Sequence, residues 1–87
     1  MDDIIIECSE MTSEDSANRY LEDLFGWPED SINDSSALLD LLSSIAEPCE
    51  ITFEDVDLLE INLGDYGEEI LDAFEQAESN NDNIKLV

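Results

Sequence analysis

The order of three strand-like segments and the helical segments between them constrains the fold of this chain most. Ile4-Ile5-Ile6, residues 50–53 and residues 84–87 are short and rich in apolar or β-branched side chains, which is typical of strands. Strands joined by helical crossovers pair in parallel. A continuous apolar run such as Ile4-Ile5-Ile6 also indicates a strand covered on both faces. The 87 residues are therefore predicted to form one α/β domain, residues 1–87, with helices packed on a parallel sheet.

Apolar residues at helical spacing predict the segments that connect these strands. The first connecting helix has Thr12 and Asp15 as a capping box, and the last has Asp65 and Glu68. Residues 55–64 suit both a helix and an alternating strand, and we predict a short helix there. The apolar stripes of the first and last helices are Ala17, Tyr20, Leu21, Leu24 and Phe25, and Ile70, Ala73, Phe74 and Ala77.

The second predicted helix, around residues 35–45, has an apolar arc and a polar arc. At about 100° per residue, the apolar arc holds Ala37, Leu38, Leu41, Leu42 and Ile45. We predict that this arc faces the core and that Asp34 or Ser35 caps the helix. The outward surface of the helix and its preceding loop supplies the candidate partner-binding residues, which are Glu29, Asp30, Asp34, Ser36, Leu39, Asp40 and Ser43.

Leu39 and Asp40 are the pair that this helix places unusually, because an apolar residue lies at the edge of the outward face. A single exposed leucine is ordinary on a monomer, and so is a solvated acid on a helix. Leu39 also has the alternative of packing under the preceding loop. The pattern alone leaves these interpretations open beside that of a partner-binding surface.

The net charge of the chain limits its partners. Its 25 acidic residues stand against Arg19 and Lys85, so the charge is −23, and there is no histidine. Direct binding to nucleic acid or to an anionic membrane needs lysine and arginine, so neither is expected. Clustered carboxylates attract a basic partner and repel a second copy of the chain. We therefore predict a basic protein partner and a monomeric free form, with adaptation to high salt as the alternative reason for the charge.

The sequence lacks the residue combinations that most enzymes use. Without histidine there is no Ser-His or Cys-His nucleophile pair and no imidazole ligand for a metal. The three glycines are isolated, so no glycine-rich loop cradles phosphate. Residues 30–34 faintly resemble a calcium loop but lack its turn glycine and its distal glutamate. We predict no enzyme activity, no cofactor and no metal.

The two cysteines and the N-terminal residues predict a reducing compartment. Cys8 follows the first strand and Cys49 precedes the second, which places them at opposite ends of parallel neighbours. We predict that both remain thiols. Met1-Asp2-Asp3 is the opposite of a basic export signal, and no apolar run approaches the length of a membrane span. A cytoplasmic location is the expectation.

Several short motifs, in order along most of the chain, resemble the barstar family of ribonuclease inhibitors. They are Trp27-Pro28-Glu29, Ala37-Leu38 with Asp40 and Leu42, Glu47-Pro48, and residues 67–74, which read GEEILDAF. The resemblance implies a small fold of three-layer type, in which three to four helices pack against a three-stranded parallel sheet. It also implies a function, in which the helix that carries Asp40 and its preceding loop plug the active site of a small basic ribonuclease. In that family the aspartate matching Asp40 occupies the place of a substrate phosphate.

The chain departs from the family pattern at most of the other recognition positions. An aromatic pair, a glycine and an asparagine of the family's loop fall on Asp30, Ser31, Ile32 and Asp34. One family acid falls on Ser36, a tryptophan on Leu39 and another acid on Gln76. Only Asp40 keeps the family residue. These differences make a close copy of the usual interface unexpected and leave a different basic toxin enzyme open as the target.

Three functions therefore compete for this sequence. The first is an inhibitor or immunity protein whose binding energy is concentrated around Asp40 and Leu39. The second is a nucleic-acid mimic that blocks a DNA- or RNA-binding or defence protein. The third is an acidic domain with a structural or regulatory contact. A mimic would spread its binding energy over acids on several elements, including Asp55, Asp57, Glu75 and Glu78.

Overall fold

A computed structural model describes residues 2–87, so Met1 of the acidic N-terminal stretch lies outside the described residues. The predicted order of strands and helices is confirmed, including the short helix within residues 55–64. Among the described residues, no helix has both the length and the apolar character that a membrane span requires. The elements are β1 (Asp2–Glu7), a 3₁₀ turn (Cys8–Glu10), α1 (Glu14–Phe25), α2 (Ser35–Ser43), β2 (Cys49–Glu54), α3 (Asp57–Leu63), α4 (Asp65–Asn80) and β3 (Ile84–Leu86).

The three strands form one parallel sheet in the order β1-β2-β3. Ile4 lies opposite Ile51 and Ile6 opposite Phe53, while Cys49 lies opposite Ile84. With four helices beside this sheet, the predicted α/β fold class is confirmed. Since each crossover is helical, successive strands start from the same end of the sheet.

One face of β1 carries the core and the other lies open to solvent. Ile6 is fully buried, whereas Ile5 is 50% exposed between the exposed residues Asp3 and Glu7. The prediction that the apolar run Ile4-Ile5-Ile6 is covered on both faces is therefore wrong at Ile5. β-Branched side chains favour strand geometry on either face, so such a run does not require burial on both sides.

The core lies between the inward face of the sheet and the helices. The predicted stripe of α4 is confirmed, because Ile70, Ala73, Phe74 and Ala77 are all buried. The ring of Phe74 packs edge-on against Phe53 of β2, with 5.1 Å between the ring centroids. Aromatic pairs in this geometry add to the hydrophobic stabilisation that burial provides. The central strand and the longest helix are thereby joined through one contact.

The N-terminus of α1 is one residue later than the predicted capping box. Ser13, not Thr12, is the N-cap, and its Oγ accepts a hydrogen bond from the Ser16 N–H at 3.2 Å. The Ser13 N–H donates to Ser16 Oγ at 2.9 Å, so the reciprocal partner is a serine rather than Asp15. Both pairs satisfy otherwise unpaired donors of the first helical turn.

The predicted capping box of the last helix is also wrong. No side chain caps α4, because Gly64 ends α3 and directly precedes Asp65, the first residue of α4. Gly64 has a φ of +59°, which a glycine adopts without steric cost. This tight connection brings Gly67 against the backbone of Leu59 in α3, where a Cβ atom would not fit.

The two cysteines lie where the sequence predicts them, and both remain thiols. Cys8 follows β1 and Cys49 opens β2, and both side chains are buried. Burial and the nearby negative charge of Asp55 raise the pKa of the Cys8 thiol to about 11. Cys8 is therefore a neutral, buried group of the core at ordinary pH.

Candidate functional site

The outward face of α2 presents an acid that the fold does not use. Ser36, Asp40 and Ser43 are exposed, as the helical spacing predicts. Within residues 2–87, no hydrogen bond reaches the carboxylate of Asp40. Its two oxygens are therefore available to the donors of a partner. Ser36 and Ser43 lie one turn before and after it on the same face.

Leu39 lies in a groove between α2 and α4 rather than on an open surface. It is half-buried and packs against the hydrophobic core. The groove has a volume of about 290 Å³ and is lined by Ser35, Ser36, Leu39, Glu69, Asp72, Ala73 and Gln76. A helical wheel of α2 alone places Leu39 at the edge of the outward face, but α4 covers that edge.

Glu69 and Asp72 of α4 are candidate site residues that the sequence reasoning missed. Both are exposed and line the groove beside Leu39. With Gln76 they follow the i, i+3, i+7 spacing of one helical face, which is the signal that could have found them. Two carboxylates therefore lie in this groove near Gln76, the position at which the family pattern has an acid.

The loop before α2 turns sharply and anchors itself in the core. The Ser31 N–H and Oγ both donate to the Pro28 carbonyl oxygen, at 3.3 Å and 2.6 Å. Asp30, inside this turn, has a φ of +63°, a conformation that Asp tolerates better than most residues. The side chain of Ile32 is only 3% exposed. Glu29 and Asp30 remain exposed at the tip.

Glu22 of α1 is a buried acid that holds this loop, and the sequence reasoning also missed it. Glu22 is only 4% exposed to solvent. Its carboxylate accepts hydrogen bonds from the N–H of Ile32 at 2.8 Å and from the N–H of Asp30 at 3.3 Å. No local sequence signal marks this role, because the donors come from a loop eight and ten residues away.

Side chains outside the helix satisfy both ends of α2. Asp34 is the N-cap, and its Oδ1 accepts from the Ala37 N–H at 2.8 Å, which confirms Asp34 among the two predicted caps. At the other end, Nδ2 of Asn81 donates to the carbonyl oxygens of Ile45, Leu42 and Ser43 at 2.9, 3.1 and 3.3 Å. The candidate binding helix is therefore fixed in orientation by hydrogen bonds at each end.

The acids of the competing mimic hypothesis do not all share one environment. Asp55, Asp57 and Glu75 are exposed. Glu78 is half-buried, and its Oε2 accepts a hydrogen bond from the Leu86 N–H of β3 at 2.6 Å. Glu78 therefore supports the edge of the sheet, and its replacement would change stability as well as charge.

The part of the chain that the structure describes contains no cluster of metal ligands. Within residues 2–87, no group of three or more cysteine, aspartate or glutamate residues is placed to hold a metal ion.

The candidate site is thus an exposed surface of a parallel α/β domain, made of the outward face of α2 with the unused carboxylate of Asp40 and of a loop held by hydrogen bonds. The chain belongs to the Barstar (barnase inhibitor) family, which matches residues 1–87, the whole sequence. The family resemblance drawn from the motifs is therefore confirmed. A search among curated proteins found no match. Barstar is a family of ribonuclease inhibitors rather than of enzymes.

Proposed function

We propose that this chain is an intracellular inhibitor of a basic ribonuclease or a related nuclease toxin. In this proposal the loop and helix of residues 29–44 enter the active site of the nuclease and block it. The free protein is a cytoplasmic monomer that protects its own cell as an antitoxin or immunity protein. Membership of a ribonuclease-inhibitor family supports the class of activity.

The observation that carries the proposal is the exposed carboxylate of Asp40, which makes no hydrogen bond within residues 2–87. A nuclease site holds substrate phosphate with charged donors, and a carboxylate accepts the same charge-assisted hydrogen bonds. Ser36 and Ser43, on either side of Asp40, are small enough to let those donors approach.

The groove beside Asp40 favours a target that differs from the family's usual one. Leu39 occupies the place of a tryptophan and leaves the groove of about 290 Å³ open. Negative charge is supplied there by Glu69 and Asp72 instead of by residue 76, which is Gln76. A partner that fits would present a protruding basic segment at this place.

The net charge of −23 supports fast association with such a partner. Opposite charges steer diffusional encounter, and salt weakens this attraction within a Debye length of about 10 Å at 0.1 M. The association rate with a basic nuclease should therefore fall as salt concentration rises. A rate that does not change with salt would contradict a basic target.

Asp40→Ala tests the proposal when it is compared with Glu75→Ala, an exposed acid of α4 outside the groove. Inhibition constants are measured with barnase and with any basic nuclease that the chain captures from its source cells. Losing charge-assisted hydrogen bonds of about 1.5–3 kcal/mol should weaken inhibition roughly a hundredfold for Asp40→Ala. Glu75→Ala should change inhibition by no more than about twofold, since exposed rim charges contribute little.

The alternative is a nucleic-acid mimic that blocks a DNA- or RNA-binding or defence protein. Exposed acids on separate elements, such as Asp55, Asp57 and Glu75, are the feature that favours it. Equal small losses for Asp40→Ala and Glu75→Ala would refute the inhibitor proposal and support mimicry. A captured partner without nuclease activity would do the same.

A further inference from the structure

Glu22 is a buried carboxylate that the proposed contact with a nuclease does not use. It belongs to α1, and it is the one charged residue buried among the residues that the structure describes. A buried carboxylate is unfavourable unless hydrogen bonds replace its lost hydration. Here the replacement comes from two backbone N–H groups of the acidic loop, those of Asp30 and Ile32.

The two bonds constrain the loop at the point where it turns. They hold alternate backbone positions on either side of Ser31, while the Ser31 N–H closes the turn onto the Pro28 carbonyl oxygen. Asp30, with its φ of +63°, lies within the segment that these hydrogen bonds hold. The side chain of Ile32 packs inward, and that of Asp30 stays at the surface. The loop therefore has one defined shape before any partner arrives.

We propose that Glu22 is a positioning residue for the partner-binding loop. It acts through the backbone of residues 30–32 and presents Glu29 and Asp30 in a fixed orientation, while its own charge stays out of the contact. This role rests on the proposed function, because it concerns the surface that would meet the nuclease. A loop that is already ordered loses less conformational freedom on binding, which strengthens the complex.

Two variants of Glu22 separate its geometry from its charge. Glu22→Gln keeps the length of the side chain but turns one acceptor oxygen into a donor that faces a backbone N–H. Glu22→Asp keeps the charge but shortens the side chain by one methylene, so it cannot reach both donors. Asp23→Asn is the matched control, because Asp23 is the exposed neighbour of Glu22 on the same helix.

The first measurement uses the free protein and needs no partner. Amide hydrogen exchange at Asp30 and Ile32 should become roughly tenfold faster in both Glu22 variants, since each loses a hydrogen bond to a charged acceptor. Exchange in the sheet and in α4 should stay unchanged, and Asp23→Asn should match the parent everywhere. Unchanged exchange at both loop amides would overturn the proposal.

The second measurement is inhibition of barnase, or of the nuclease captured from the source cells. Both Glu22 variants should inhibit roughly tenfold less well. In a background that carries Asp30→Asn, the loss from Glu22→Gln should shrink, because the loop then has less charge to present. The positioning role would be overturned if Glu22→Gln weakened inhibition equally with and without Asp30→Asn. It would also be overturned if Glu22→Asp inhibited as well as the parent protein.

Failure of the proposed function gives a different pattern. If the parent chain inhibits no nuclease, the inhibitor proposal is refuted. If amide exchange at Asp30 and Ile32 still depends on Glu22 in that case, Glu22 still holds the loop in place.

Discussion

Asn81→Asp should destabilise the protein strongly, although it only replaces the NH₂ group of the side chain by an oxygen. The side chain of Asn81 lies between the C-terminal end of α2 and β3. Its Nδ2 donates to three carbonyl oxygens, of Leu42, Ser43 and Ile45, at 2.9–3.3 Å. The carboxylate of an aspartate would place an oxygen against these three oxygens and remove the Asn81 donor from each of them.

The expected loss follows from the hydrogen bonds and the helix dipole. An amide nitrogen has two N–H donors, so two net hydrogen bonds of about 1 kcal/mol each are lost. A negative charge at the C-terminal end of α2 opposes the helix dipole and costs about 0.3–1 kcal/mol more. The free energy of unfolding should therefore fall by about 2.5 kcal/mol, which lowers Tm by roughly 10–20 °C in a domain of this size.

Asn80→Asp is the matched control for this prediction. Asn80 is the exposed last residue of α4 and directly precedes Asn81, so the control adds the same charge at the C-terminal end of α4 without removing a donor from α2. Equilibrium urea unfolding, followed by circular dichroism at constant ionic strength, measures both variants. Losses within about 0.5 kcal/mol of each other would show that charge repulsion, and not the lost donors at α2, explains the effect.

Two further predictions concern the core. Gly67→Ala should lower the free energy of unfolding by about 1 kcal/mol in urea titrations. The added Cβ would overlap the carbonyl oxygen of Leu59 and lie 2.6 Å from its carbonyl carbon. Such overpacking costs about 1–3 kcal/mol, which outweighs the gain in helix propensity of about 1 kcal/mol. A variant more stable than the parent would refute this prediction. For Cys8, the folded protein holds its proton to a pKa of about 11, above the ordinary value of 9.0. Stability from this group is fully present below pH 9 and is lost as pH rises towards about 11. Cys8→Ala should lack that part of the fall, and parallel pH profiles for the two proteins would contradict it.

Local patterns in the sequence predicted the elements and the faces that repeat along them. The alternation of strand-like and helical segments predicted the parallel sheet, and the spacing of Ile70, Ala73, Phe74 and Ala77 predicted the buried stripe of α4. The same reasoning placed Asp40 on the outward face of α2, where it is exposed. These features depend on the geometry of a single helix or strand, which its own residues largely determine.

The tertiary structure alone decided which neighbour each of these faces meets. Leu39 lies in a groove because α4 covers the edge of α2, and Ile5 is half exposed although the residues around it read as a buried strand. Glu22 resembles any solvated acid of an amphipathic helix until the loop supplies two donors to it. Hydrogen bonds and burial between distant segments depend on how the elements pack, and a pattern of period 2 or 3.6 contains no record of that packing. The sequence thus determined that α2 presents Asp40 outward, and the packing of α1 and α4 decided the shape and charge of the surface around it.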